Sequence, residues 1–300
     1  MTELTYRPWG PSDGAALNDI WGDAEHDALS GRELFREPSD DPFSRTIVAE
    51  DQGIPVAAAV VAEAAVHPER LWAYVEVARD HRGKGLGATL LGMLKKEAEL
   101  ADTATQRLRA KVGPGTSGAA FAASAGMKPI QRSRIVRVAP GSLRLEGISD
   151  DSRKDVEDLA TGSVELTRAL WDFYVNVHQW DPPAEIGLGK VNQLFLGETA
   201  GAHGAVVLRE HGKIRAFAVS YTQPQEDPDA EQPPADVLLG YDTSDPNASE
   251  GVRQLLALLT HQYPVEVEVD DSMTALTAVV DPLIEAGGAA VVSETDIVSE

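Results

Sequence analysis

Between Leu71 and Leu100 an extended apolar run, LWAYVEV, feeds a loop, ARDHRGKGLGA, that opens onto a leucine-rich segment, TLLGMLKKEAEL. The loop places Gly83, Gly85 and Gly87 within five residues and flanks them with Arg82 and Lys84. This order constrains the fold more than any other feature of the sequence. It predicts a strand, a tight turn whose glycines reach backbone angles closed to other residues, and a helix over Gly87 to Ala101. Leu90, Leu91, Leu94 and Ala98 share one face of that helix, and Lys95, Lys96, Glu97 and Glu99 fall largely off it. A helix start carries unpaired amides and a partial positive charge. Glycines admit a phosphate to that backbone, and two cations add charge-assisted donors.

The surrounding pattern gives the context. Leu4–Arg7 reads as a strand, and Ser12 as the cap of a helix to about Ala24. A short helix is expected at Gly31–Glu37 and a polar loop at Glu37–Phe43. A meander follows, with strands at Arg45–Glu50, Pro55–Ala65 and Leu71–Val77 and turns at Asp51-Gln52-Gly53 and His67-Pro68-Glu69. Beyond the glycine loop and its helix, the sequence predicts a strand at Arg107–Val112, a short helix at Gly118–Ala125 and a strand at Met127–Val138.

Three kinds of phosphate loop compete for this stretch. A Walker A loop requires Gly-Lys-Ser/Thr at its end, whereas Gly85 and Gly87 precede Leu86 and Ala88. The dinucleotide pattern G-x-G-x-x-G/A matches Gly83, Gly85 and Ala88, but no acid ends the next strand to hold a ribose. That loop should also close the first strand of its domain, and here about four strands come before it.

The third option fits. Val77–Ala88, VARDHRGKGLGA, resembles the acetyl-coenzyme A signature of the GNAT superfamily of N-acetyltransferases, Arg/Gln-x-x-Gly-x-Gly/Ala after a strand, with Arg82, Gly85 and Gly87 at the motif positions. The order of elements over residues 3–138 is similar to that family as well. The resemblance implies that the backbone from Arg82 through Gly83, Lys84, Gly85, Leu86 and Gly87 to Ala88 cradles the pyrophosphate of acetyl-CoA. It implies that main-chain groups of Val75 and Val77 pair with the pantetheine arm, and that the Val77 amide polarises the thioester carbonyl. Glu76 is the nearest carboxylate able to take a proton from an attacking amine, although alternation groups it with Trp72 and Tyr74. Glu25, His26 and Asp27 lie where the family often forms its acceptor pocket. Ala122 stands where the family often has a tyrosine acid, and Gly115 is nearest the place of a common asparagine.

Ala139-Pro140-Gly141-Ser142 breaks both periodic patterns and divides the chain into residues 1–139 and 143–300. A similar order recurs beyond it. Helices are expected at Asp151–Thr161 and Val164–Val177, and strands at Ala205–Glu210 and Ile214–Thr222 around a His211-Gly212 turn. After an acidic loop at Gln223–Pro234 come a strand at Asp236–Tyr241, a helix at Ser249–Gln262, a strand at Val265–Val269, a helix at Met273–Glu285 and a strand at Ala289–Val298. The expected fold is therefore α/β, a mixed α+β sheet in each of two tandem GNAT-like domains, an arrangement also similar to tandem GNAT enzymes. The second is degenerate by the same physics: Tyr241–Gly251 has no arginine and no spaced glycines, and Asp242, Asp245 and Glu250 would repel a pyrophosphate. Trp171, Tyr174, His178 and Trp180 form an aromatic stripe that suits a core or an interface, or else the wall of an acceptor pocket.

Charge sharpens the functional reading. Residues 1–142 carry 17 Lys and Arg against 19 Asp and Glu, and residues 143–300 carry 9 against 29. Such acidity argues against nucleic acid and anionic membrane as partners and favours a cationic acceptor. With no cysteine, thiolate metal sites and thiol nucleophiles are excluded, no metal site is expected, and a reducing, cytoplasmic setting fits. The expectation is an acetyl-CoA-dependent N-acetyltransferase acting on a primary amine by direct attack, or alternatively a non-catalytic CoA-binding protein. NAD-linked oxidoreduction is the third possibility. The oligomeric state is not readable from the sequence.

Overall fold

The computed structural model describes residues 4–21, 31–101, 103–144, 156–221 and 234–300. Two compact units result, and both are discontinuous in sequence. Unit 1 comprises residues 1–130, 181–184 and 295–300, and unit 2 comprises residues 131–180 and 185–294. A single cut at Ala139 thus does not separate them.

In unit 1, β1 (Leu4–Pro8), β3 (Phe43–Asp51), β4 (Ile54–Ala62) and β5 (Leu71–Val77) form an antiparallel run, with β2 (Ser39–Asp40) paired to β3. The β3–β4 turn has Gln52 at φ 54° and Gly53 at φ 81°. Two consecutive positive φ angles match the right-handed twist of a hairpin, which explains the glycine. β4, IPVAAAVVA, is buried along nearly its whole length and serves two cores at once. Ala57, Ala59 and Val61 pack with Leu86, Leu90, Leu91, Leu94 and Ala98 of α2 (Leu86–Leu100). Ala58, Val60 and Ala62 pack on the opposite face with Leu17 of α1 (Asp13–Trp21), Phe35 and Tyr74. Truncating any one of the buried α2 leucines to alanine costs about 2–5 kcal/mol.

β5 then pairs in parallel with β6 (Leu108–Val112), but only at Leu71↔Leu108 and Trp72↔Arg109. Past that point the two strands part. On its other side β6 pairs antiparallel with the end of the chain, Asp296↔Val112 to Ser299↔Arg109, so the strand closing unit 1 is the tail of β13 (Ala289–Ser299). α3 (Ser117–Ser124) follows β6, capped by Thr116, whose hydroxyl accepts from the Ala119 amide at 3.3 Å.

Unit 2 repeats this strand order. β8 (Val156–Asp158), β9 (Ala202–Glu210), β10 (Lys213–Tyr221) and β11 (Ala235–Tyr241) are antiparallel neighbours. β11 runs parallel to β12 (Val265–Asp270) from Ala235↔Val265 to Val237↔Val267, and β12 pairs antiparallel with residues 133–138 of β7 (Lys128–Val138). The β9–β10 turn again places a non-glycine before a glycine at positive φ, His211 at 52° and Gly212 at 75°. Three longer helices complete the unit: α4 (Val164–Val177), α6 (Ala248–Leu259) and α7 (Thr274–Glu285). A short α5 (Leu188–Val191) runs into a π-helical turn at Asn192–Leu196.

Two expectations need correction. Residues 156–158, assigned to a helix spanning 151–161, form strand β8, because pairing with Val206–Leu208 of β9 outweighs local preference. The helix expected at Gly31–Glu37 is helical only at residues 31 and 32 before a turn.

Candidate active site

The strand β5, the loop that follows it and the start of α2 bring the sequence-predicted residues of unit 1 together. After β5 a single 3₁₀ turn at Arg79–His81 reverses the chain. Gly83 and Gly85 adopt φ 72° and 81°, and a Cβ at either position would point into open space. Only the backbone angle therefore demands glycine there. Gly85 is the N-cap of α2 and supplies no side-chain cap. The helix begins only with the Thr89 amide donating to the Gly85 carbonyl at 3.1 Å. No protein acceptor among the described residues meets the amides of Gly83, Lys84, Gly85, Leu86, Gly87 or Ala88. The Arg82 amide, by contrast, donates to the Arg79 carbonyl at 3.3 Å, so the open row starts at Gly83.

The two cations brace the loop. Arg82 Nε donates to the Val77 carbonyl at 2.8 Å, and Lys84 Nζ to the Asp80 carbonyl at 2.7 Å. Both side chains are exposed; Arg82 tethers the loop to the end of β5, and Lys84 tethers it to the 3₁₀ turn. The edge of β5 is open on the side of β6. The Leu71 amide donates to the carbonyl of Arg107, the residue before that neighbour, at 2.8 Å, and the Ala78 amide to the Val56 carbonyl of β4 at 2.9 Å. Since successive amides alternate in direction along a strand, Val75 and Val77 direct theirs to the β6 side, where pairing has already ended at Trp72↔Arg109. Gly87 lies below this edge, where an added Cβ would make ordinary contacts with Phe121 at 3.5 Å and Val75 at 3.7 Å.

Glu76 projects to the other face of β5. Arg32 clamps it bidentately, Nη2 to Oε1 at 2.7 Å and Nε to Oε2 at 2.9 Å, and the Tyr74 hydroxyl donates to Oε2 at 3.0 Å. The two charged side chains are 12% and 13% exposed. Gly31 makes this possible: a Cβ there would fall 2.4 Å from the Tyr74 ring, so residue 31 must be glycine for Arg32 to reach Glu76. Burial, then the Glu76 charge beside it, pushes the Tyr74 hydroxyl well above the ordinary tyrosine range. Glu25, His26 and Asp27 lie outside the described residues. Ala122 is buried in α3 against the α2 core.

Sequence reasoning missed a buried ionic cluster in the same unit. Asp181, wholly buried, accepts from Arg70 Nη1 at 2.6 Å and from Arg109 Nη1. His67 Nδ1 lies 2.5 Å from the Asp181 carbonyl, and because a carbonyl only accepts, that nitrogen carries a proton. Arg109 is 2% exposed and stacks 3.9 Å from the Trp72 ring centroid. An Asp-Pro-Pro stretch gives no local signal of such burial.

The equivalent loop of unit 2 is built differently. Asp242 accepts from the Ser244 amide at 2.9 Å, and Asp245 from the Asn247 amide at 2.8 Å and Arg215 Nε at 2.9 Å. The Asn247 amide, helped by Arg215, holds the Asp245 carboxyl below the usual aspartate range. Carboxylates of the chain thus fill the place that the glycine loop leaves open. The aromatic stripe is a packed cluster in this unit: Trp171 and Tyr174 stack at 5.6 Å, and Tyr174 and His178 at 3.9 Å. Trp171 and Phe195 pack against the buried core. Among the described residues no helix is long and apolar enough to cross a membrane.

Part of the sequence and the whole fold resemble known proteins. Residues 12–124 match the family model described as acetyltransferase (GNAT) family. No curated protein matches the sequence significantly. Among solved structures, a GCN5-related N-acetyltransferase from Sphaerobacter thermophilus is 14% identical, with a TM-score of 0.63 over 100% of this chain and 96% of that one. A tandem GNAT protein of the clavulanic acid biosynthesis pathway, solved without AcCoA, is 15% identical, with a TM-score of 0.59 over 99% and 98%. A putative acetyltransferase from Pyrococcus horikoshii is 12% identical, with a TM-score of 0.56 over 100% and 90%. Residues 12–124 thus match the GNAT acetyltransferase family model, and the whole chain has a mixed α/β fold shared end to end with solved GNAT structures.

Proposed function

We propose that the chain is an N-acetyltransferase that takes an acetyl group from acetyl-CoA and passes it to a primary amine by direct attack, with acetyl-CoA held by unit 1 alone. The observation that carries this reading is the open row of amides from Gly83 to Ala88, continuous with the open edge of β5. A pyrophosphate suits six unengaged donors at the start of a 15-residue helix, where Gly83 and Gly85 leave open space. The filled loop of unit 2 supports a single site.

Acetyl-CoA supplies an acyl carbon activated by its thioester. The chain's part is to position and polarise. The Val77 amide donates to the thioester oxygen as negative charge grows there, with the Val75 amide on the same edge two residues deeper. The amine nitrogen forms a bond to the carbonyl carbon, the carbon–sulfur bond breaks with its electron pair leaving on sulfur as the coenzyme A thiolate, and the ammonium proton leaves to a base. Glu76 is the nearest carboxylate on β5, and to act as that base it must free one oxygen from Arg32 or Tyr74. The acidic second half steers a cationic acceptor.

Calorimetric titration with acetyl-CoA tests the cofactor site. Arg82→Glu should weaken binding by roughly 2–4 kcal/mol, since it reverses a charge at the loop and removes its tether to Val77. Unchanged affinity would mean that the loop is not the site. Thiol release across a panel of amines tests turnover. Tight binding without release for any amine would favour a non-catalytic CoA-binding protein, a reading that Ala122 at the usual acid position motivates.

A further inference from the structure

Asp181 sits far from the glycine loop in sequence, yet it belongs to unit 1, within the stretch 181–184. Its carboxylate joins two arginines that bracket one place in the sheet. Arg70 immediately precedes β5, and Arg109 on β6 is the partner of Trp72 in the last residue pair before the strands part. The arrangement is anchored on every side. Arg70 Nε donates to Ser299 Oγ at 3.0 Å, and Ser299 Oγ to the Leu108 carbonyl at 2.9 Å. The Ala184 amide donates to the Val66 carbonyl at 2.7 Å. Arg109 lies flat against Trp72.

We infer that Asp181 is a positioning residue for the cofactor cleft, fixing the point at which β5 and β6 diverge. This rests on the acetyl-CoA reading above. An extended arm that enters from the glycine loop meets the Val77 amide with its thioester and points its acyl end towards Val75, into the cleft that closes at Trp72. The place where the strands rejoin sets the depth and width of that cleft. Without the Asp181 charge, the two buried guanidinium groups lose the carboxylate that joins them, and the change in charge balance acts on the Trp72↔Arg109 pair. The phosphate loop, at the opposite end of β5, is untouched. The second half of the chain thereby contributes a residue on which use of the first half's cofactor depends.

The test compares two ligands, acetyl-CoA and adenosine 3′,5′-bisphosphate, which lacks the pantetheine arm together with the phosphate that joins it. Wild-type protein must bind acetyl-CoA; if it does not, the functional reading falls before this inference is reached. Asp181→Asn should lose acetyl-CoA affinity by tenfold or more and keep its affinity for the bisphosphate within twofold. Restoring the charge balance with Asp181→Asn/Arg70→Gln should recover acetyl-CoA affinity to within about threefold of wild type. Equal losses for both ligands, or wild-type affinity for acetyl-CoA, would overturn the assignment. Hydrogen exchange on the wild type needs no variant to fold. Acetyl-CoA should protect peptides covering residues 66–72 and 181–184, and the bisphosphate should not. The absence of that difference would equally reject the role.

Discussion

Gly85 and Gly53 make a matched pair for testing the glycine loop. Both sit at φ 81°, and a Cβ added to either meets nothing within 4 Å. Alanine at either position thus brings no clash and the same intrinsic penalty, about 1–2 kcal/mol for an L-residue in the left-handed region. The consequences differ because the surroundings differ. Gly53 is locked in a hairpin by Glu50↔Pro55 and Asp51↔Ile54 pairing, so its penalty appears as lost stability. Gly85 lies in an exposed loop with no side-chain cap, which lets the free protein relax away from the strain. Acetyl-CoA would then have to restore the left-handed angle on binding. The same 1–2 kcal/mol emerges as a loss of affinity of roughly 5- to 30-fold. Urea unfolding and calorimetric titration of both variants separate the two effects. Gly53→Ala should unfold more easily and bind acetyl-CoA as wild type does; Gly85→Ala should do the reverse. If Gly85→Ala bound acetyl-CoA within twofold of wild type, the conformation at residue 85 would have no part in holding the ligand.

Glu76→Gln should cost about 1–3 kcal/mol of stability, because Arg32 loses an ionised bidentate partner in a half-buried setting. Acetyl-CoA affinity should stay within twofold, and a fall in kcat at unchanged amine KM would assign Glu76 to proton removal; unaltered kcat would remove it from that role. Asp236 gives a pH-dependent expectation. Burial first, then Glu268 and Glu266, raises its carboxyl above the usual aspartate range. The folded chain therefore keeps a proton that the unfolded chain has lost, and stability falls as pH rises through the ordinary aspartate range towards the raised value. Asp236→Asn should melt higher than wild type at neutral pH and lose that advantage in acid, and a difference independent of pH would contradict this.

Much of the fold was legible because periodicity and turn chemistry are local. The β3–β4–β5 meander, the glycine loop, α2 and both positive-φ hairpin turns follow from patterns within a dozen residues. The open amides at the start of α2 were readable for the same reason. Strand β8 was not, since VEDLA has apolar spacing compatible with a helix and becomes a strand only through β9. Nor was Asp181: its partners lie 111 and 72 residues away in sequence. The clamp on Glu76 was equally hidden, because Arg32 is 44 residues distant and its reach depends on the close approach at Gly31.

The crossed ownership of β7 and β13 has a consequence for how such a chain can be divided. Each unit takes its closing strand from the other half of the sequence: residues 296–299 cover β6, and residues 133–138 cover β12. A fragment that stops at Ala139 would keep the glycine loop and yet expose the flank of β6, a bare edge prone to pairing with any passing strand. Its complement would lack the neighbour of β12. Inheritance of the two halves is thus linked, and neither is a free-standing module that recombination could move elsewhere without its counterpart.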